Sequence, residues 1–167
     1  MMTWVELDAL PPEEFVAALS GVFEHSDWVV ARAAQERPFG SMASLLTALR
    51  RVLERASDAE QLALIRAHPD LRARSVQAAL TAASQNEQRR AGLEGCTPAE
   101  AARLEALNTA YKSRFGFPFI LAVRGHDPAS IIARCEQRLA LEPNAERASA
   151  LEEIARIAEF RLRDRIA

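Results

Sequence analysis

The sequence predicts an all-α fold, a single-domain bundle of about seven to nine helices spanning residues 1–167. Three observations predict it. Alanine, leucine, glutamate and arginine dominate the composition, and all four are good helix formers. Six glycines are few for a β-rich fold with many tight turns. Apolar residues recur at helical spacing between short polar stretches that read as caps. With 49% apolar residues, a chain of this size can bury a core without disulfides or metals.

The elements follow in order. A first helix is expected from about Pro12 to Leu19. Ser26 or Asp27 can cap a second, which ends near Gln35, before Pro38 and Gly40. Ser41 caps a third through Arg55, with Leu45, Leu49, Val52 and Leu53 on one face. Ser57-Asp58-Ala59-Glu60 is a capping box that opens a fourth. Pro69 ends that helix, because the residue before a proline is pushed out of the α region. That residue is His68, which therefore sits at a helix C-terminus on a fixed bend. A polar segment precedes a helix from about Thr81 to Leu93, closed near Gly92 or Gly95. Thr97-Pro98-Ala99-Glu100 joins a capping box to a proline at the first helical position. Its helix runs to Arg114 or Phe115 and stops at Gly116. Phe117 to Arg124 is apolar and extended, and Pro118 argues against a central strand. Asp127-Pro128 opens a helix to about Leu139, and the last helix runs from about Ala145 to Arg165.

Charge and cysteines narrow the function classes. The 21 basic and 23 acidic residues leave a net charge of −2, with no electrostatic footprint for nucleic acid. No stretch reaches the length of a membrane span. The acidic segment from Met1 to Glu14 does not read as a signal peptide, nor Arg165-Ile166-Ala167 as a peroxisomal signal. Cys96 and Cys135 lie far apart, with no metal-type spacing, which suits a reduced cytoplasmic compartment. Lys112 is the only lysine, so any Schiff-base chemistry would fall to it alone.

Four features can carry chemistry, and each has a plain structural reading beside it. Arg161 shares the apolar stripe of the last helix, defined by Leu151, Ile154, Ile157, Ala158 and Leu162. It is either an edge residue with a packed stem and a wet head or a guanidinium clamp for a carboxylate or planar polar ligand. His68 is either a helix C-cap or an acid–base group that titrates near neutrality. Asp70 beside it can cap the next turn. In Ser84-Gln85-Asn86-Glu87-Gln88, Ser84 and Glu87 fit a capping box; the cluster equally presents donors and acceptors to a ligand made of amides and ureas. The run Phe117-Pro118-Phe119-Ile120-Leu121-Ala122-Val123 is either a connector bonded to neighbouring backbone or a pocket wall offering N–H and C=O groups. His25 and His126 read as loop residues beside helix starts.

The order of these signals resembles one family. Phe23-Glu24-His25-Ser26-Asp27-Trp28-Val29, His68-Pro69-Asp70-Leu71, Ser84 to Gln88 with Ala91-Gly92-Leu93, Tyr111 with Arg114-Phe115-Gly116-Phe117-Pro118-Phe119-Ile120, and Glu153-Ile154 through Arg161-Leu162 together are similar to 2-oxo-4-hydroxy-4-carboxy-5-ureidoimidazoline (OHCU) decarboxylases of urate degradation. The similarity runs from about Leu10 to Leu162. Many members carry glycine soon after the segment that matches His68-Pro69-Asp70-Leu71, whereas Arg72-Ala73-Arg74 follows here. The resemblance implies a decarboxylase without cofactor or metal that converts OHCU to (S)-allantoin and carbon dioxide. It implies His68 as catalytic acid and Glu87 as its partner. Pro69, Ser84, Gln85, Asn86, Gln88, the backbone of Phe119 to Val123 and Arg161 would hold the ring and ureido group. The family analogy also admits a homodimer.

The chemistry suits a chain without an electron-sink cofactor. OHCU has its own sink, a C=N bond beside the carbon that loses carbon dioxide, so the protein need only orient, stabilise charge and deliver a proton to one face. Two rivals remain at this level. A helical interaction module would explain His68 and Ser84 as caps but not Arg161 on an apolar stripe. A hydrolase using His68 and Glu87 to activate water on a related ureide has the same residues.

Overall fold

In the computed structural model, which describes residues 1–71 and 81–167, helix starts follow local polar chemistry. Thr3, Ser57, Thr97 and Asp127 each close a capping box, and Ser41 and Thr81 each accept a bond from the backbone N–H three residues on. Among the described residues stand nine α-helices: α1 (Trp4–Ala9), α2 (Pro12–Ala18), α3 (Trp28–Ala33), α4 (Met42–Arg55), α5 (Asp58–Arg66), α6 (Ala82–Arg90), α7 (Pro98–Phe115), α8 (Pro128–Leu139) and α9 (Pro143–Arg163). Short 3₁₀ turns follow α3 and α6. The fold is all-α, as expected. None of the described helices is long and apolar enough to cross a membrane. Arg72-Ala73-Arg74 lie outside the described residues.

Three local expectations are corrected. Helix α1 was not among those expected; its Thr3 hydroxyl and Glu6 carboxylate cap one another's backbone. Asp27 caps nothing: its own backbone is helical, and its carboxylate accepts from Ser20 Oγ at 2.6 Å and Gly21 N at 3.1 Å. Ser26 Oγ likewise turns back, to the Glu24 carbonyl at 2.9 Å. Ser84 does not cap α6. That cap is Thr81, which places Ser84 inside the first turn as a buried residue.

The chain divides into two compact units. The first comprises residues 1–67 and 154–167, the second residues 68–153, and α9 contributes to both. In the first, Phe15, Phe23, Val29, Leu45, Leu64 and Ile65 are fully buried or nearly so. Each such side chain contributes roughly 1.5–3 kcal/mol on leaving water. In the second, α7 packs on α8, and Leu104, Tyr111, Phe119 and Ile131 form the centre.

Arg32 of α3 ties to Glu60 of α5 at 2.6 Å while stacking on Trp28 at 4.5 Å. That guanidinium, with the Ser57 backbone, holds the Glu60 carboxyl down at about 2. A carboxyl lowered on folding stabilises above its unfolded value, and that stability is lost as pH falls toward the folded one. Glu60→Gln is therefore expected to be less stable than the wild type at pH 6, with the gap closing between about pH 4.5 and pH 2. Urea midpoints across that range check this; a gap that stays constant with pH would count against it. The pair is partly exposed, so the effect is small.

Candidate active site

His68 follows the end of α5. The helix closes at Arg66 with Ala67 as C-cap, and His68 sits on the bend beyond it, 6% exposed. The residues after it are gripped from two helices. Gln88 Nε2 of α6 donates to the Asp70 carbonyl at 3.2 Å. Asn108 Nδ2 of α7 donates to the Leu71 carbonyl at 2.7 Å, and Lys112 Nζ, one turn on, meets the Asp70 carboxylate at 2.7 Å. The only lysine thus holds the segment that carries His68.

Helix α6 presents Ser84 and Gln88 on one buried face, four residues apart. Glu87 and Gln85 are half-buried and Asn86 is exposed. Because Gln88 reaches Asp70, the helix that carries Glu87 is tied to the segment that carries His68. Gln88, expected to face a ligand, spends one donor on that tie.

The run from Phe117 to Val123 is neither helix nor strand, and every residue in it is buried. Gly116 makes it possible by closing α7 with φ 74°, its N–H on the Lys112 carbonyl at 2.8 Å. Most of the run's bonds do not come from neighbouring backbone. Arg138 Nη1 of α8 donates to the Ile120 carbonyl. Glu153 Oε2 of α9 accepts from Ala122 N at 3.0 Å. One carbonyl, that of Val123, accepts from His126 N at 2.9 Å. Arg138 also lies over the Phe119 ring at 4.6 Å and donates through Nε, at 2.7 Å, and Nη2 to Glu146 Oε1. The same carboxylate oxygen accepts from the Tyr111 hydroxyl. Burial, reinforced by Glu146, pushes the pKa of that hydroxyl up, so it remains a donor. Burial likewise pushes the Cys135 thiol up to about 12, which leaves it a packing residue.

Helix α7 therefore touches both segments. Asn108 and Lys112 hold the segment after His68, and Tyr111 between them packs edge-on against Phe119 at 5.4 Å.

Arg161 lies in the first unit, on the inward stripe of α9, 4% exposed. Its anion belongs to the chain: Nη1 meets Glu24 Oε2 at 3.0 Å and the Gly21 carbonyl at 3.1 Å. Glu24 is itself 1% exposed. The edge reading, with a wet head, is set aside by this burial. Leu151 proves half-buried, and Ala150 takes its place on the stripe. Two inward carboxylates of α9, Glu146 and Glu153, were not singled out from the sequence. The signal was present: Glu146, Glu153 and Arg161 recur at about two helical turns along one apolar stripe.

Comparison with known proteins supports one family. The family model described as OHCU decarboxylase matches residues 8–163. A 2-oxo-4-hydroxy-4-carboxy-5-ureidoimidazoline decarboxylase of Haloferax volcanii is 40% identical over 164 residues, 98% of this chain and 96% of that protein. A uric acid degradation bifunctional protein of Bacillus sp. (strain TB-90) is 43% identical over 98% of this chain, which spans 32% of that longer protein. Among solved structures, an (S)-allantoin synthase superposes with a TM-score of 0.81 at 29% identity, covering 100% of this chain and 54% of that one.

Proposed function

The chain belongs to the OHCU decarboxylase family, whose members are carboxy-lyases, and from that premise we propose that it converts OHCU to (S)-allantoin with His68 as proton donor and Glu87 as its partner. The reading as a non-enzymatic interaction module falls with family membership. The observation that carries the mechanism is the clamp on Asp70 and Leu71. It fixes a buried histidine on a segment tied to the helix that bears Glu87.

The bond from the ring carbon to the carboxylate breaks and carbon dioxide leaves. The electron pair forms a C=C bond to the imine carbon, and the imine nitrogen takes up a proton. The resulting enol then gives up its hydroxyl proton to become the ring carbonyl, while His68 delivers a proton to one face of the former imine carbon. One-face delivery yields a single enantiomer. The balance is one proton taken up and one carbon dioxide released per OHCU carboxylate. Glu87 orients His68 or receives the proton that leaves the substrate hydroxyl. Pro69 fixes the bend, and Ser84, Gln85, Asn86 and Gln88 with the Phe119–Val123 backbone match the ureido and ring groups. A site built of amides penalises ligands that leave those groups unmatched.

Arg161 holds a ring or ureido oxygen and not the departing carboxylate. Its charge is already compensated by Glu24 at 3.0 Å, and a tight grip on the carboxylate would stabilise the ground state.

The test generates OHCU freshly from urate with uricase and hydroxyisourate hydrolase and follows circular dichroism. The expected result is faster appearance of (S)-allantoin, with one carbon dioxide per turnover. Decay no faster than the spontaneous reaction would sink the proposal. Consumption of OHCU without carbon dioxide would point to ureide hydrolysis.

A further inference from the structure

Leu121 sits between two clamps. Arg138 takes the carbonyl of Ile120, and Glu153 takes the N–H of Ala122. The only cis peptide bond among the described residues is Arg37-Pro38, so the peptides on both sides of Leu121 are trans. In a planar trans peptide the C=O and N–H point to opposite sides. Holding the Ile120 carbonyl on Arg138 therefore turns the Leu121 N–H away from Arg138. Holding the Ala122 N–H on Glu153 turns the Leu121 carbonyl away from Glu153. Leu121 is 4% exposed, and neither of its backbone groups meets a hydrogen-bond partner among the described residues. Buried backbone groups are normally satisfied. A donor and an acceptor on one residue match the paired C=O and N–H of a cyclic amide or urea.

We infer that Arg138, Glu146, Tyr111 and Glu153 are positioning residues that set the Leu121 N–H and C=O as a recognition pair for the ring or ureido group. The inference rests on the proposed OHCU reading of this site. Arg138 is suited to the task because its fork spans two acceptors, the Glu146 carboxylate and the Ile120 carbonyl. Glu146 holds that fork in plane, and the Tyr111 hydroxyl fixes Glu146 in turn. A buried ion pair contributes little net stability compared with apolar residues of like volume, which leaves geometry as its role here.

The same principle supplies the test. Tyr111→Phe/Arg138→Met/Glu146→Leu removes the cluster while keeping its volume. The triple variant is expected to fold, to raise KM for OHCU at least tenfold with kcat changed less than threefold, and to weaken binding of (S)-allantoin by a similar factor. Glu153→Met is expected to do the same, whereas Glu153→Gln, which keeps an oxygen for the Ala122 N–H, returns KM to within threefold of wild type. Should the triple variant not fold, the Glu153 pair carries the test. A folded triple or Glu153→Met variant with wild-type KM and (S)-allantoin affinity would overturn the inference. Failure of the wild type to turn over OHCU would instead overturn the reading beneath it.

Discussion

His68→Ala is expected to fold as the wild type does and to lose roughly 100- to 10,000-fold in turnover, the usual range for a positioned proton donor. The fold should survive because His68 lies beyond the α5 C-cap, outside the helix itself. The segment stays anchored at Asp70 and Leu71 by Gln88, Asn108 and Lys112. Loss of turnover with unchanged affinity for (S)-allantoin would identify a group that acts on the reacting atoms and not on binding. Circular dichroism supplies both readouts, the far-ultraviolet spectrum for folding and the allantoin signal for rate. A folded variant that keeps more than about a tenth of wild-type turnover would remove His68 as the donor, since the deficit would lie below that range. The family would stand and the mechanism would need another acid.

The caps show why so much of this fold is legible in the sequence. A capping box is complete within four residues, so Ser57, Thr97 and Asp127 announce their helices without any tertiary knowledge. The same locality explains the errors. Thr3 to Glu6 has the box, but it lies in a short acidic stretch with little helical periodicity to flag it. Ser84 to Glu87 has the spacing of a box, yet Thr81 three residues earlier takes the cap, and only packing decides between them. At the site the division is sharper. The sequence placed Arg161 on an apolar face and left open whether its head reaches water or meets an anion. It did not identify Glu24, which lies 137 residues away and meets Arg161 only through the fold. Asn108, Arg138, Glu146 and Glu153 stayed hidden for the same reason. Each reads as an ordinary helix residue until the Leu71 carbonyl or the Phe119–Val123 run is brought against it.

Arg161→Ala carries the largest expected effect on stability. It takes the cation from a carboxylate that is 1% exposed, and breaking a buried pair from one side typically costs about 3–5 kcal/mol. For a chain of this size that is a fall on the order of 10 °C in Tm. Stability alone cannot distinguish a packing residue from a ligand clamp, because either loses the pair. The double variant Glu24→Leu/Arg161→Met separates them. It removes both charges together and should recover most of the lost stability. If Arg161 holds a ring or ureido oxygen, the double variant stays impaired in KM despite its restored fold; if it turns over normally, Arg161 only packs. Glu24→Gln probes the charge itself. With less of the guanidinium charge compensated, Arg161 should hold the ring or ureido oxygen more tightly, and KM should fall with kcat little changed. A kcat that falls together with KM would mean instead that Arg161 grips the departing carboxylate and stabilises the ground state.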